Sequence, residues 1–129
     1  MKWGERMDIW KELQDEGIDA ALLEEIRHFR EAHPVPPEAA ARIPVPQCLY
    51  YGKEVWESAA AALLCGQHLL LAGPKATGKN VLAENLAAVF GRPVWDVSMY
   101  VNVDAAALIG ADTLQKGEVV FREGPICRC

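Results

Sequence analysis

Apolar residues recur at helical spacing through the first 33 residues of the chain. Met7, Trp10 and Leu13 are three apart, and Ile18, Leu22, Ile26 and Phe29 follow at i, i+4, i+8 and i+11, which puts them on one face. Gly17 breaks the pattern and predicts a short helix, a turn and a longer helix. The charges between the apolar positions read as a solvated face, or alternatively as the outside of a helix that docks a partner. Five of the eight prolines then fall between His33 and Pro46 (Pro34, Pro36, Pro37, Pro44 and Pro46). Proline fixes φ and removes a donor, so residues 34–48 read as a linker or extended wrap.

The periodicity changes after the prolines. Val55, Ala59 and Leu63 predict a helix over 53–65, with Gly66 in the place of a left-handed cap. His68–Ala72 is a short apolar run of the kind that forms a buried parallel strand. A glycine-bearing loop, Gly73–Lys79, leads into an amphipathic helix over 79–90 carried by Leu82, Leu86 and Val89 and closed by Gly91. Pro93 precedes a second expected strand, Val94–Ser98, and strand, glycine loop, helix, strand is a βαβ unit. Beyond it, Asp104 is placed to cap a helical turn over 104–109. Lys116-Gly117 marks the turn of a hairpin over 112–121, in which Val119 and Phe121 stand at alternate positions.

At 129 residues the chain is one domain's worth of sequence, divided here into a helical segment (1–33), a proline-rich linker (34–48) and a remainder (49–129) that carries the βαβ unit. The formal charge is −5, and −4 of it lies in residues 1–33, so binding nucleic acid through a basic surface is disfavoured and any anion site in the second part must be local. Cys48, Cys65, Cys127 and Cys129 match no zinc or redox spacing and read as reduced thiols. No apolar run approaches the roughly 20 residues of a membrane span, and the first 30 residues carry no signal-peptide core, so a soluble cytoplasmic protein is expected.

Gly73-Pro74-Lys75-Ala76-Thr77-Gly78-Lys79 fits G-x-x-x-x-G-K, the phosphate-binding P-loop or Walker A pattern. Such a loop wraps an anion with inward backbone N–H groups, so glycine is needed where a Cβ would clash or φ turns positive. The following helix aims its positive end at the phosphates, and Lys79 adds a full charge for the β- and γ-phosphates. The usual Ser or Thr after the lysine, a Mg²⁺ ligand, is replaced by Asn80, whose carbonyl oxygen is a hard neutral ligand on a longer side chain.

From Tyr51 to Ile126 the residues resemble the AAA+ ATPases of the MoxR and dynein-related type. The resemblance rests on Tyr51-Gly-Lys-Glu-Val, on Gly66-Gln-His-Leu-Leu-Leu-Ala-Gly-Pro-Lys-Ala-Thr-Gly-Lys79, and on Leu108-Ile-Gly followed by Gly117-Glu-Val-Val-Phe-Arg-Glu-Gly-Pro-Ile126. It implies an α/β fold, a P-loop NTPase parallel sheet with flanking helices, incomplete here and preceded by the helical segment. It also implies binding of ATP and Mg²⁺, homo-oligomeric rings, usually hexamers, and remodelling of client proteins, often with a von Willebrand factor A-domain partner. By the same resemblance Tyr51 and Gly52 lie near the adenine. Gly73, Pro74, Lys75, Ala76, Thr77, Gly78, Lys79, Asn80 and Val81 hold the phosphates, with Lys79 stabilising phosphate charge in catalysis and Asn80 near the metal. Met99–Val103 falls where related rings place a client-contacting loop, although an ordinary half-buried aromatic explains Tyr100 equally well.

The family's hydrolytic Asp-Glu pair, sensor, arginine finger and lid lie beyond the Gly-Pro element and have no counterpart in these residues. The chain therefore reads as the N-terminal part of a longer ATPase and is not expected to hydrolyse ATP alone. In the family sheet the first two strands are not neighbours, so both are expected to lack partners here, with marginal stability as the consequence. Two alternatives stay open: a P-loop small-molecule kinase, and a binding-only module in which nucleotide orders the fold.

Overall fold

Two aspartates start the N-terminal helices by the same chemistry. In the computed structural model, which describes residues 7–128, the Asp8 carboxylate accepts from the N–H of Trp10 at 3.1 Å and of Lys11, and α1 (Ile9–Asp15) follows. Asp19 accepts from Ala21 N at 2.7 Å and Leu22 N at 3.3 Å and starts α2 (Ala20–Ala32). Each carboxylate satisfies amides that have no partner inside their own helix. Asp19→Ala is accordingly expected to cost about 1 kcal/mol, read as a lower urea midpoint with an unchanged m value. Gly17 makes the turn between the helices. Residues 1–6, the start of the expected helical segment, and Cys129 lie outside the described residues.

The proline-rich stretch contains one turn of helix, α3 (Pro37–Ala40), with Pro37 in the first turn, where its missing N–H is not needed. Next come α4 (Lys53–Leu64) and α5 (Lys79–Phe90), whose caps at Gly66 and Gly91 turn left-handed as expected. α2 packs on both α4 and α5, and α1 packs on α5. Their shared core contains Leu13, Ile18, Leu23, Ile26, Leu49, Trp56, Ala60, Leu82, Leu86, Val89 and Phe90, all buried. The buried face of α4 is rotated from the expected one. Trp56 goes inside with Ala59 and Ala60, and Val55 is left 48% exposed, because the indole removes far more apolar surface from water than the valine does.

The described residues divide into two bodies, one ending at Pro93 and the other beginning at Val94. In the second, Asp104 caps α6 (Ala105–Leu108) by accepting from Ala107 N at 2.8 Å. β1 (Gly110–Gln115) and β2 (Glu118–Glu123) then pair antiparallel from Gly110↔Glu123 to Gln115↔Glu118. The turn falls on Lys116-Gly117 as expected, both with positive φ. The expected inward alternation does not hold. Every β2 residue is exposed, Val119 and Phe121 included, because no layer of the described residues covers either face of this ribbon.

The expected parallel sheet is not formed. His68–Ala72 and Val94–Ser98 carry no strand ladder, and the only sheet among the described residues is the β1–β2 hairpin. The physical reason is pairing: an extended segment becomes a strand only when a neighbour takes its N–H and C=O groups, and neither has one here. Nor is the first run fully buried. Leu69 and Leu71 turn partly inward, while Leu70 between them is 93% exposed.

Candidate functional site

The loop from Gly73 to Gly78 joins the extended segment to α5, and its backbone does what glycine-rich phosphate loops require. Gly78, the N-cap of α5, sits at φ +80°, and Ala76 reaches φ +58°. The left-handed region is unfavourable for a residue with a Cβ, so Ala76 holds local strain. Ala76→Gly is expected to relieve up to about 1 kcal/mol of it, seen as a higher melting temperature. A Cβ on Gly78 would also lie 3.1 Å from the Tyr50 ring, a second reason for glycine there.

Lys79, the first residue of α5, folds its ammonium back over the loop. Nζ donates to Gly73 O at 2.9 Å, to Pro74 O, and to Thr77 Oγ1 at 3.3 Å. The Thr77 hydroxyl in turn donates to Pro74 O at 3.0 Å. Residues Lys75 to Val81 line a concavity of about 390 Å³ at the end of this 12-residue helix. Two lysines and a helix N-terminus line it and no carboxylate is among the lining residues, a donor set that fits a polyphosphate. For a metal ion the same wall offers only neutral oxygens, those of Asn80 and Thr77. Among the described residues no three His, Cys, Asp or Glu side chains form an ion site.

The expected adenine-side residues precede α4. Tyr51 is 70% exposed, and Gly52 caps the N-terminus of α4. The residue in direct contact with the loop is their neighbour Tyr50. Its ring would be 2.8 Å from a Cβ on Gly52 and 3.1 Å from one on Gly78. Tyr50 is held in turn by Asn85 on α5, which is fully buried: Asn85 Oδ1 accepts from Tyr50 N at 2.9 Å, and Asn85 Nδ2 donates to Cys48 O at 2.9 Å. Sequence reasoning missed both residues. For Asn85 a signal was present, since it lies three residues after Leu82 and four before Val89, on the buried stripe of α5, where a lone polar side chain needs partners.

The far end of α5 is gripped from the N-terminal helices. Arg30 Nη1 donates to Val89 O at 3.1 Å, a carbonyl that the helix end leaves open, and to Ala88 O at 3.4 Å, which also accepts from Gly91 N, while the guanidinium lies 5.8 Å from the centre of the Trp10 ring. Arg92 donates to His33 O at 2.9 Å. An apolar cleft of about 370 Å³ also borders α5, lined by Phe29, Leu63, Leu69, Leu71 and their neighbours, with little polar surface to orient a ligand. Elsewhere, Tyr100 is exposed, which overturns the reading of it as a half-buried aromatic. Cys48, Cys65 and Cys127 are free thiols. No helix among the described residues is long and apolar enough to cross a membrane.

Residues 68–129 match the family model described as the AAA domain (dynein-related subfamily). Just under half of the chain thus matches as part of a dynein-related AAA domain, and the similarities support a MoxR-like AAA+ fragment. It is similar to the uncharacterized protein YojN of Bacillus subtilis, 30% identical over 121 residues that take in 91% of the chain and 40% of that protein. It is also similar to protein NorQ of Paracoccus denitrificans, 40% identical over 74 residues (57% of the chain, 26% of NorQ). A third relative is the uncharacterized protein SSP1341 of Staphylococcus saprophyticus, 33% identical over 79 residues (57% of the chain, 30% of that protein). The chain thus spans well under half the length of these relatives. No solved structure matches it. Because the YojN match takes in 91% of the chain, it extends well before residue 68 into the N-terminal helices that grip α5. The AAA-domain match supports a P-loop NTPase segment, and that family binds nucleotide, usually with Mg²⁺, and commonly assembles into rings.

Proposed function

We propose that this chain is the ATP-binding part of a MoxR-like AAA+ ATPase, and that Gly73–Val81 hold the triphosphate. The observation that carries the reading is that Lys75, Lys79 and the N-terminal turn of α5 line one carboxylate-free concavity, with the Lys79 ammonium folded over the adjoining loop. Backbone N–H groups at the start of the helix meet the phosphate oxygens, and Lys79 exchanges its loop carbonyls for the β- and γ-phosphates. Mg²⁺ neutralises phosphate charge when bound. Asn80 on the first turn of α5 would supply a neutral oxygen towards it. Tyr51 and Gly52 border the adenine side.

Hydrolysis needs a residue that orients the attacking water and acids that hold the metal, and no carboxylate lines the cradle. The chain by itself therefore binds ATP without turning it over. In a protein of the relatives' full length, the same site would couple hydrolysis to remodelling of a client, within a homo-oligomeric, hexameric ring and with a von Willebrand factor A-domain partner. A thermal-shift series tests the binding claim. Saturating ATP is expected to raise the melting temperature and AMP is not, because the loop reads the phosphate chain. Equal shifts with ATP and AMP, or none with ATP, would count against it.

A further inference from the structure

The strap Cys48–Gly52 is hydrogen-bonded to α5, the helix that follows the phosphate loop, through one side chain. Asn85 is fully buried on α5, six residues after Lys79, and both ends of its amide are used on the strap backbone: Oδ1 accepts from Tyr50 N and Nδ2 donates to Cys48 O, each at 2.9 Å. The amide's two ends thus fix the strap in both direction and register, since sliding it by one residue would unpair a buried donor and a buried acceptor together. With the strap held there, the half-buried Tyr50 ring wedges between Gly52, the N-cap of α4, and Gly78, the N-cap of α5. The ring closes the space beneath the loop and sets how far Tyr51 and Gly52 stand from the phosphate cradle. A ligand that fills only the cradle does not sense that distance, whereas one that carries a nucleoside beyond its phosphates does.

From this juxtaposition we propose that Asn85 is a positioning residue that selects nucleotides over bare polyphosphate, acting through Tyr50 as a spacer between the strap and the phosphate loop. The proposal rests on the ATP-binding reading above and deepens it. Asn85 touches neither phosphate nor base; it places the wall against which the nucleoside packs. The Tyr50 contribution is the ring itself, so phenylalanine should replace it.

The test is calorimetric titration of the 129-residue chain with two probes, MgATP and inorganic tripolyphosphate. The unmodified chain is expected to bind ATP more tightly than tripolyphosphate. Asn85→Leu and Tyr50→Ala are expected to weaken ATP by about tenfold, the size of one lost set of packed contacts, and to leave tripolyphosphate affinity unchanged. Tyr50→Phe should retain the ATP affinity. Equal losses for both probes, or no loss for ATP, would overturn the proposal. If Asn85→Leu has lost its helical circular dichroism, Tyr50→Ala decides alone, by the same split, because its ring is only half-buried. Failure of the ATP-binding reading looks different: the unmodified chain would then bind neither probe.

Discussion

Lys79→Ala should weaken ATP binding by at least about a hundredfold, close to 3 kcal/mol. The ammonium is the full charge nearest the loop, and its donors are already aimed across it at Gly73 O, Pro74 O and Thr77 Oγ1. Hydrogen bonds to charged groups contribute roughly 1.5–3 kcal/mol each, and a triphosphate offers Lys79 more than one such oxygen. Alanine leaves the backbone N–H groups and the helix terminus in place, so some phosphate affinity should remain. Fold stability should change little, because the ammonium contacts only the surface loop and not the core. Lys75→Ala makes the comparison: this exposed side chain is free of the loop carbonyls that hold Lys79, and its loss should cost less than about tenfold. Titration calorimetry of both variants reads the difference. Equal affinities for Lys79→Ala and the unmodified chain would remove Lys79 from the site.

The largest effect on stability should come from Trp56→Ala. The indole is fully buried at the centre of the core that joins α4 to the N-terminal helices and α5. Truncating a buried Trp costs about 3–5 kcal/mol, the lost transfer energy plus the cavity left behind. Domains of this size are stable by only about 5–15 kcal/mol, and the only sheet among the described residues is the exposed β1–β2 hairpin, so the variant should lose most of its cooperative unfolding transition. The Nε1 of Trp56 has no hydrogen-bond partner among the described residues. Trp56→Phe therefore loses no hydrogen bond, only volume, and should cost no more than about 1–2 kcal/mol. Denaturant titration of the pair separates packing from polarity. Comparable losses in both variants would mean that the indole N–H matters after all.

The longer helices were legible because each carries its own local signals: the spacing of Ile18, Leu22, Ile26 and Phe29, the stripe of Leu82, Leu86 and Val89, and Gly66 and Gly91 at ends, with Asp104 at the start of the short α6. The caps Asp8 and Asp19 and the turn α3 within the prolines were not read. The hairpin turn was legible for the same reason, since Lys116-Gly117 needs nothing beyond its own backbone. The sheet was not, because a strand is defined by its neighbour, and Leu69–Leu71 reads as strand whether or not a partner lies beside it. The choice of Trp56 over Val55 for the core depended on which elements faced α4, and no periodicity within α4 carries that information. At the site, the motif located the loop and Lys79, but not the strap that borders it. Tyr50 and Asn85 are 35 residues apart, and their link is a tertiary fact.

On the function proposed above, ATP occupies the cradle of Gly73–Val81. Backbone amide chemical shifts measured during an ATP titration of the ¹⁵N-labelled chain test it most directly. The largest changes should fall on the amides of Thr77, Gly78, Lys79, Asn80 and Val81, with smaller ones at Tyr51 and Gly52, and all should saturate with a single affinity. Saturable changes confined to other residues, with these amides unmoved, would contradict the account.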